Sequence, residues 1–247
     1  MSTTAHPHAT TNGHTETDGA FWREHTRVFL QPIAAPAILG LFGFAGATFM
    51  VAAQLAGWYG NDQSGLYLFP FAAMFGGVAQ FAAAMWSYRA RDALATAMFG
   101  MFGSFWVAYG ILNLLAATKD ITLPAGKFPE LAFWFWVIAA ITAAGAITAT
   151  ARNLVLTLIL ATVAVGEAFL GVGKYSGTIG WIHTGGWVLV AAAIMAFYAA
   201  TAMMLAATWG RTVLPMGEYT REATVPGERP VIPLQFEHGE PGVRQGQ

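Results

Sequence analysis

From Val28 to Gly210 the chain alternates long apolar runs with single charges or small charged knots, a rhythm that leaves few ways to fold in water. The charge-free runs are Val28–Asn61, Gln63–Tyr88, Ala93–Thr118, Leu131–Ala151, Asn153–Gly166 and, apart from His183, Tyr175–Gly210. About 20 apolar residues rising 1.5 Å each cross the roughly 30 Å hydrocarbon core of a bilayer. Five of the runs reach that length unaided, and the run from Asn153 reaches it once Glu167 is included. Composition agrees: 56% apolar against 10% charged residues lies outside the range of soluble domains this size. The expected fold is an all-α membrane protein with six transmembrane helices, and its first partner is the lipid bilayer.

Charge and cysteine content exclude whole classes of function. Twelve Lys and Arg against 13 Asp and Glu give no basic surface for phosphate, so no nucleic-acid partner is expected. The absence of cysteine removes disulfides, thiol catalysis and thiolate metal sites together. No cofactor and no enzymatic activity are expected. The first 20 residues are polar, lack Lys and Arg and contain no apolar stretch, so no cleavable signal peptide is expected there. Polar composition marks residues 1–19 and 216–247 as disordered tails around a membrane domain over residues 20–215.

The expected spans are Ala37–Trp58, Leu66–Tyr88, Ala93–Ala116, Phe128–Thr150, Leu154–Gly173 and Gly180–Thr208, which put both tails on one side. One set of loops and tails carries Arg23, Arg27, Arg89, Arg91, Arg152 and Arg211, the other Lys119, Lys127 and Lys174. The bias of Lys and Arg predicts that the first set, and so both termini, are cytoplasmic; the expected location is the plasma membrane. Aromatic residues near span ends (Trp58, Tyr59, Tyr67, Trp86, Tyr88, Trp134, Trp136, Tyr175, Trp181 and Trp209) fit an interfacial belt. Ahead of the first span, Ala20–Leu30 gathers Phe21, Trp22, His25, Val28 and Phe29 on one helical face, the pattern of a short N-terminal interfacial helix.

Glycines within the spans (Gly40, Gly43, Gly46, Gly76, Gly77, Gly100, Gly103, Gly185 and Gly186) read chiefly as points of close helix approach. Pro36 has two readings: the first residue of an ordinary helix, or the edge of a broken helix whose amides face a cavity. Glu167 is the carboxylate set well inside a span, about 9 Å from its end, and is either a proton-carrying or orienting group or a rim carboxylate in a wet vestibule. His183 reads as an interfacial side chain, with no second His in any span to make a metal pair. No lysine lies within a span to hold retinal, and Ser104 lacks the flanking residues of a nucleophile elbow. What remains are hydroxyls and amides along the spans: Thr48, Gln54, Gln80, Thr96, Ser104, Tyr109, Asn113, Thr142, Thr157, Thr162, Tyr198 and Thr201. Stripping a carboxylate of water costs on the order of 20 kcal/mol by the Born estimate, so a cation-free interior of this kind suits a small solute passing with few donors or as its neutral acid.

Three motifs now bear on family. Ala35–Phe44 reads Ala-Pro-Ala-Ile-Leu-Gly-Leu-Phe-Gly-Phe, which resembles the Asn-Pro-Ala-Pro-Leu-Gly-Leu signature of the acetate uptake transporter family. Gly76-Gly77-Val78-Ala79-Gln80 with Met85-Trp86 is similar to that family's second-span pattern, and Phe102-Gly103-Ser104-Phe105-Trp106 to its Tyr-Gly-x-Phe-Trp. Ala35 stands where the family has Asn, removing an amide donor; Ile38 stands where it has a second Pro, which favours an unbroken first helix; Phe102 replaces Tyr, removing a hydroxyl.

The resemblance implies a homo-oligomer, a hexamer, in which each six-helix protomer has its own path for small-molecule carboxylates: acetate, other short monocarboxylates, and succinate. On the matching motifs that path runs along Pro36, Leu39, Gly40, Leu41 and Phe44, then Gln80 as donor, then Phe102 and Phe105, with Phe44 and Phe102 as the apolar gate. Glu167, set inside a span, joins it as a proton or orientation group, and transport is expected to be proton-linked. Two other functions stay open: ammonia or ammonium transport, as in yeast members of that family, for which Asp62 gives thin support, and a non-transporting scaffold or regulator.

Overall fold

The computed structural model describes residues 33–61 and 63–218. The expected interfacial helix Ala20–Leu30, residues 1–19, Asp62 and residues 219–247 lie outside the described residues. Six helices long and apolar enough to span a bilayer make up the rest: α1 Pro36–Leu55, α2 Ser64–Arg89, α3 Ala93–Ala117, α4 Pro129–Ala149, α5 Leu154–Ser176 and α6 Ile179–Trp209. Each is apolar around most of its circumference, and large side chains such as Phe71, Ile147 and Phe197 stand exposed on the exterior, as a lipid-facing surface requires.

Local chemistry sets the helix ends. Pro36 is at the first turn of α1, where a missing N–H costs nothing, and Ala35 before it is extended, as a residue preceding proline should be. Helix α1 is continuous, so the ordinary reading of Pro36 holds and no broken helix exposes amides there. It stops at Leu55 rather than at the expected Trp58 because Gly57 takes a left-handed φ of 81° and turns the chain. Asp92 and Asn153 cap α3 and α5 through Ala95 N (2.9 Å) and Leu156 N (2.8 Å).

The irregularity lies in the second span instead. Pro70 interrupts the hydrogen-bond ladder of α2, and Ala72–Ala79 follows as a π-helical segment before the regular helix resumes at Gln80. A wider helix here needs small residues around it, and they are present: a Cβ on Gly43 of α1 would come within 2.5 Å of the Phe75 carbonyl oxygen.

In space the helices form a ring, α1–α2–α3–α4–α5–α6, in which α1 and α6 close on each other extensively and α4, α5 and α6 pack side by side. The one sparse contact in the ring lies between α3 and α4. Close approach of α1 and α6 depends on Gly186, where an added Cβ would stand 2.5 Å from Ala56 N and 2.8 Å from Leu55 C.

The chain after α6 does not leave the domain at residue 215. Gly210 turns it back with φ 66°, Leu154 N and Val155 N donate to Gly217 O (3.0 Å) and Met216 O (3.2 Å), and Asn153 and Glu218 form an isolated antiparallel bridge. The chain is thus tied to α5 up to Glu218, the last described residue, because the start of α5 has amides without helical partners and this segment supplies their acceptors.

Gly186→Leu should cost 1–3 kcal/mol or more by forcing backbone apart, whereas Gly180→Ala, which meets nothing within 4 Å, should be silent. Thermal unfolding of the two purified variants in detergent checks the contrast.

Candidate transport pathway

Two cavities lie end to end inside the ring and share Phe44 and Phe102 in their walls. The rings of these residues meet at 5.2 Å between centroids, tilted by 57°, and both are buried. Phe44 on α1 and Phe102 on α3 thus form the apolar septum between the cavities.

On one side is a chamber of about 80 Å³, lined by Thr48, Phe105, Trp106, Tyr109, Glu167 and Lys174 among others. With about 30 Å³ as one water's share of liquid volume, it holds no more than a few waters or one small solute. Phe105 stacks on Tyr109 (6.0 Å, 22°) and packs against Trp106 and Phe135, giving an aromatic wall. Three buried polar atoms of its lining lack hydrogen-bond partners: Thr48 Oγ1, Trp106 Nε1 and Glu167 Oε2. Buried polar groups are ordinarily satisfied, so three together are a strong departure.

Glu167 sits on α5, nine residues before its end rather than six, because α5 continues to Ser176. It is 5% exposed, which decides against the rim-carboxylate reading. Thr142 of α4 is the hydrogen-bonding neighbour of its carboxyl. The Thr142 hydroxyl donates to Ile138 O at 2.8 Å, so its lone pairs can accept from Glu167 only when Glu167 carries a proton.

Beyond the septum is a vestibule of about 470 Å³, lined by Leu41, Gln80, Asp92, Arg152, Met216 and Glu218 among others. Gln80, fully buried, donates from Nε2 to Gly76 O (2.8 Å) and leaves Oε1 unpaired. One of its two amide hydrogens is thus committed to its own helix, and the group left over is an acceptor. Arg152 grips Asp92 with two bonds of 2.7 Å, and the Asp92 side chain is 2% exposed against 27% for Arg152. Glu218, half-buried at the mouth, has its carboxyl pushed above the ordinary range by loss of water.

The expected residues divide clearly. Leu41, Phe44, Gln80, Phe102, Phe105 and Glu167 line the cavities. Gly40 does not; it admits the ring of Phe99, which an added Cβ would meet at 2.6 Å. Pro36 begins the helix without reaching either cavity, and Leu39 is 48% exposed on the exterior because two residues of helix turn it about 200° from Leu41. Several of the hydroxyls and amides along the spans are also withdrawn: Ser104, Asn113 and Thr157 donate to carbonyls four residues back. The expectation of a cation-free interior is corrected, since Lys174 lines the chamber and Arg152 the vestibule. Both sit beside span ends in sequence, where the chain alone reads them as loop charges. Trp106 was legible only as an aromatic, without sign that its N–H would be orphaned.

A model of the GPR1/FUN34/yaaH family matches residues 18–218. The chain belongs to this family. Among similar members, the succinate-acetate/proton symporter SatP of Escherichia coli K12 is 28% identical over 186 residues, covering 75% of this chain and 96% of its own. Ammonia transport outward protein 2 of Saccharomyces cerevisiae is 26% identical over 182 residues, covering 70% of this chain and 62% of its own. A solved structure of the bacterial acetate channel SatP superposes with a TM-score of 0.69 at 26% identity, over 75% of this chain and all of the other. These family members are transport proteins, and the present chain is, like them, an integral membrane protein of six helices.

Arg152→Ala should destabilise the protein by about 3 kcal/mol, the low end for a broken buried pair because Arg152 is partly hydrated. Asp92→Asn should cost about 1 kcal/mol, since Asn still caps α3 and Arg152 can turn to water. Denaturation midpoints of the two variants should fall in that order.

Proposed function

We propose that this protein carries acetate and other short monocarboxylates through the plasma membrane, each with a proton, along the path from chamber to vestibule. The observation that carries this reading is the set of unpaired buried groups flanking the Phe44–Phe102 septum: Thr48, Trp106 and Glu167 on one side, Gln80 on the other. The indole N–H and the hydroxyl can donate to a carboxyl group, and the Gln80 oxygen can accept only from a solute that still bears a hydrogen.

Magnitudes favour the neutral acid at the septum. Complete desolvation of a carboxylate costs on the order of 20 kcal/mol, while bonds to a charged group contribute about 1.5–3 kcal/mol each, so two or three donors cannot compensate. A protonated acid removes most of that cost, and Glu167 is the group we assign to hold and pass the proton, with Thr142 as its partner. Succinate, with two carboxyls to desolvate and only about 80 Å³ of chamber, should move more slowly.

The SatP relatives support the substrate class, and the arginines support an arrangement in which the vestibule and both termini are cytoplasmic. In this reading the membrane domain assembles as a hexamer, each protomer with its own path. Ammonia is a second reading, favoured by the yeast relative and by a septum that a neutral base could also pass. Vesicle swelling in ammonium salts separates it from carboxylate transport.

Purified protein in proteoliposomes should take up labelled acetate, and an imposed pH gradient should accelerate that uptake several-fold. Glu167→Gln should abolish the response to the gradient, and Phe102→Ala should raise basal flux by opening the septum. Uptake no greater than in empty vesicles overturns the assignment.

A further inference from the structure

The vestibule is walled by the helices and also by the segment that returns after α6, and this wall differs in kind from the others. Met216 and Glu218 line the cavity beside Asp92 and Arg152. Thr212 is buried and anchors the start of the segment, and beyond it the bonds seen among the described residues are few: Leu154 N and Val155 N to Gly217 O and Met216 O, the bridge of Glu218 with Asn153, and Tyr198 donating to Pro215 O at 2.8 Å. Helix α6, at 31 residues or about 46 Å, is longer than the hydrocarbon core, so its end projects from the bilayer and the returning chain lies back along it. Gly210, at φ 66°, is the turn from which the segment departs. Each of these bonds has a ready substitute in water once the segment lifts, because the α5 amides belong to that helix's first turn and the Tyr198 bond is exposed.

We propose that residues 213–218 are a releasable strap, which narrows the vestibule when docked on the start of α5 and opens it when undocked. The inference rests on the transport reading only for its flux measurement.

Glu218 gives the strap a sense of pH. Docking takes its carboxyl out of water and raises it above the ordinary value of 4.5, so protonation favours the docked form. Docking is fully supported below that ordinary value and weakens as pH rises through the higher docked value. Facing Glu218 across the vestibule are Asp92 from the α2–α3 turn and Arg152 from the α4–α5 turn, while the α1, α5 and α6 residues of the wall carry no titratable side chain. Asp92 and Arg152 are committed to each other, which leaves Glu218 to sense the proton. Acidification on the vestibule side therefore closes the mouth.

The chain contains no cysteine, so introduced thiols report without background. Antiparallel bridge partners lie about 4.5–5.5 Å apart at Cα, within disulfide reach, and Asn153→Cys with Glu218→Cys should cross-link on oxidation. Oxidised protein should carry acetate several-fold more slowly than the same protein reduced, while either single variant ignores oxidant. Independently of flux, Ala95→Cys in the vestibule wall should react with a charged maleimide about five-fold faster when Tyr198→Phe removes one anchor, a factor corresponding to one ordinary hydrogen bond. Labelling of Ala95→Cys should also quicken as pH rises, after correction for thiol ionisation, and Glu218→Gln should remove that dependence. A cross-link that forms without slowing flux, or a labelling rate indifferent to Tyr198→Phe, overturns the strap. If the unmodified protein carries no acetate while the labelling contrasts hold, the transport assignment fails and the strap stands.

Discussion

Hydrocarbon offers no hydrogen bonds, and nearly every feature of this structure follows from that single lack. Backbone groups are satisfied within helices, and hydroxyls that a sequence would scatter along a pore turn back on carbonyls of their own helix, as Ser104, Thr142 and Thr157 do. Buried charge is tolerated at the helix ends: Asp92 combines a helix cap with a two-bond grip from Arg152. Against this background of satisfied groups, the few found unpaired among the described residues are the ones the proposed pathway assigns to the solute.

Small residues make the arrangement possible, and they act in combination with one irregular helix. The π-helical segment of α2 brings Phe75 O against Gly43, and its Gly76 and Gly77 accept Trp106 and Val107 of α3. The same segment ends at Gln80, so the change of helical pitch coincides with the fully buried amide beside the septum. π-Helical turns are energetically poor and recur at functional sites, and here the turn both widens α2 and brings α3 close enough to place Trp106 in the chamber.

How much of this was legible in the chain depends on the scale of the interaction. Six spans follow from apolar run length, and Phe44 with Phe102 follows from motif resemblance. Both are local properties, and helix α1 ended early only because one glycine, Gly57, turns the chain. Lys174 and Arg152 illustrate the failure of local reading. Each sits where a charge is ordinary in sequence, and only the closure of the six helices into a ring makes it part of a cavity wall. The strap was hidden for the same reason: Met216 and Glu218 stand in polar, proline-containing company, and nothing local shows that α5 amides need acceptors there. Leu39 shows the reverse case, a motif residue that stands exposed on the exterior and lines neither cavity.

Taken together, the cavities are unequal in a way that suits directional control. The chamber is small and aromatic, with Lys174 at its wall, and it can concentrate anions without a committed counter-charge. The vestibule is several times larger, but its guanidinium is already held by Asp92, so an arriving carboxylate finds only the donors Asp92 leaves. In the transport proposed above, a solute that crosses the septum as its neutral acid would be gathered on one side by Lys174 and released on the other, where the guanidinium of Arg152 is already held by Asp92. In that proposal the contrast between Lys174, for which no ion pair is found among the described residues, and the bidentate Asp92–Arg152 pair contributes more to the direction of release than the difference in volume, because electrostatic retention acts over the whole chamber and volume acts only on what is already inside.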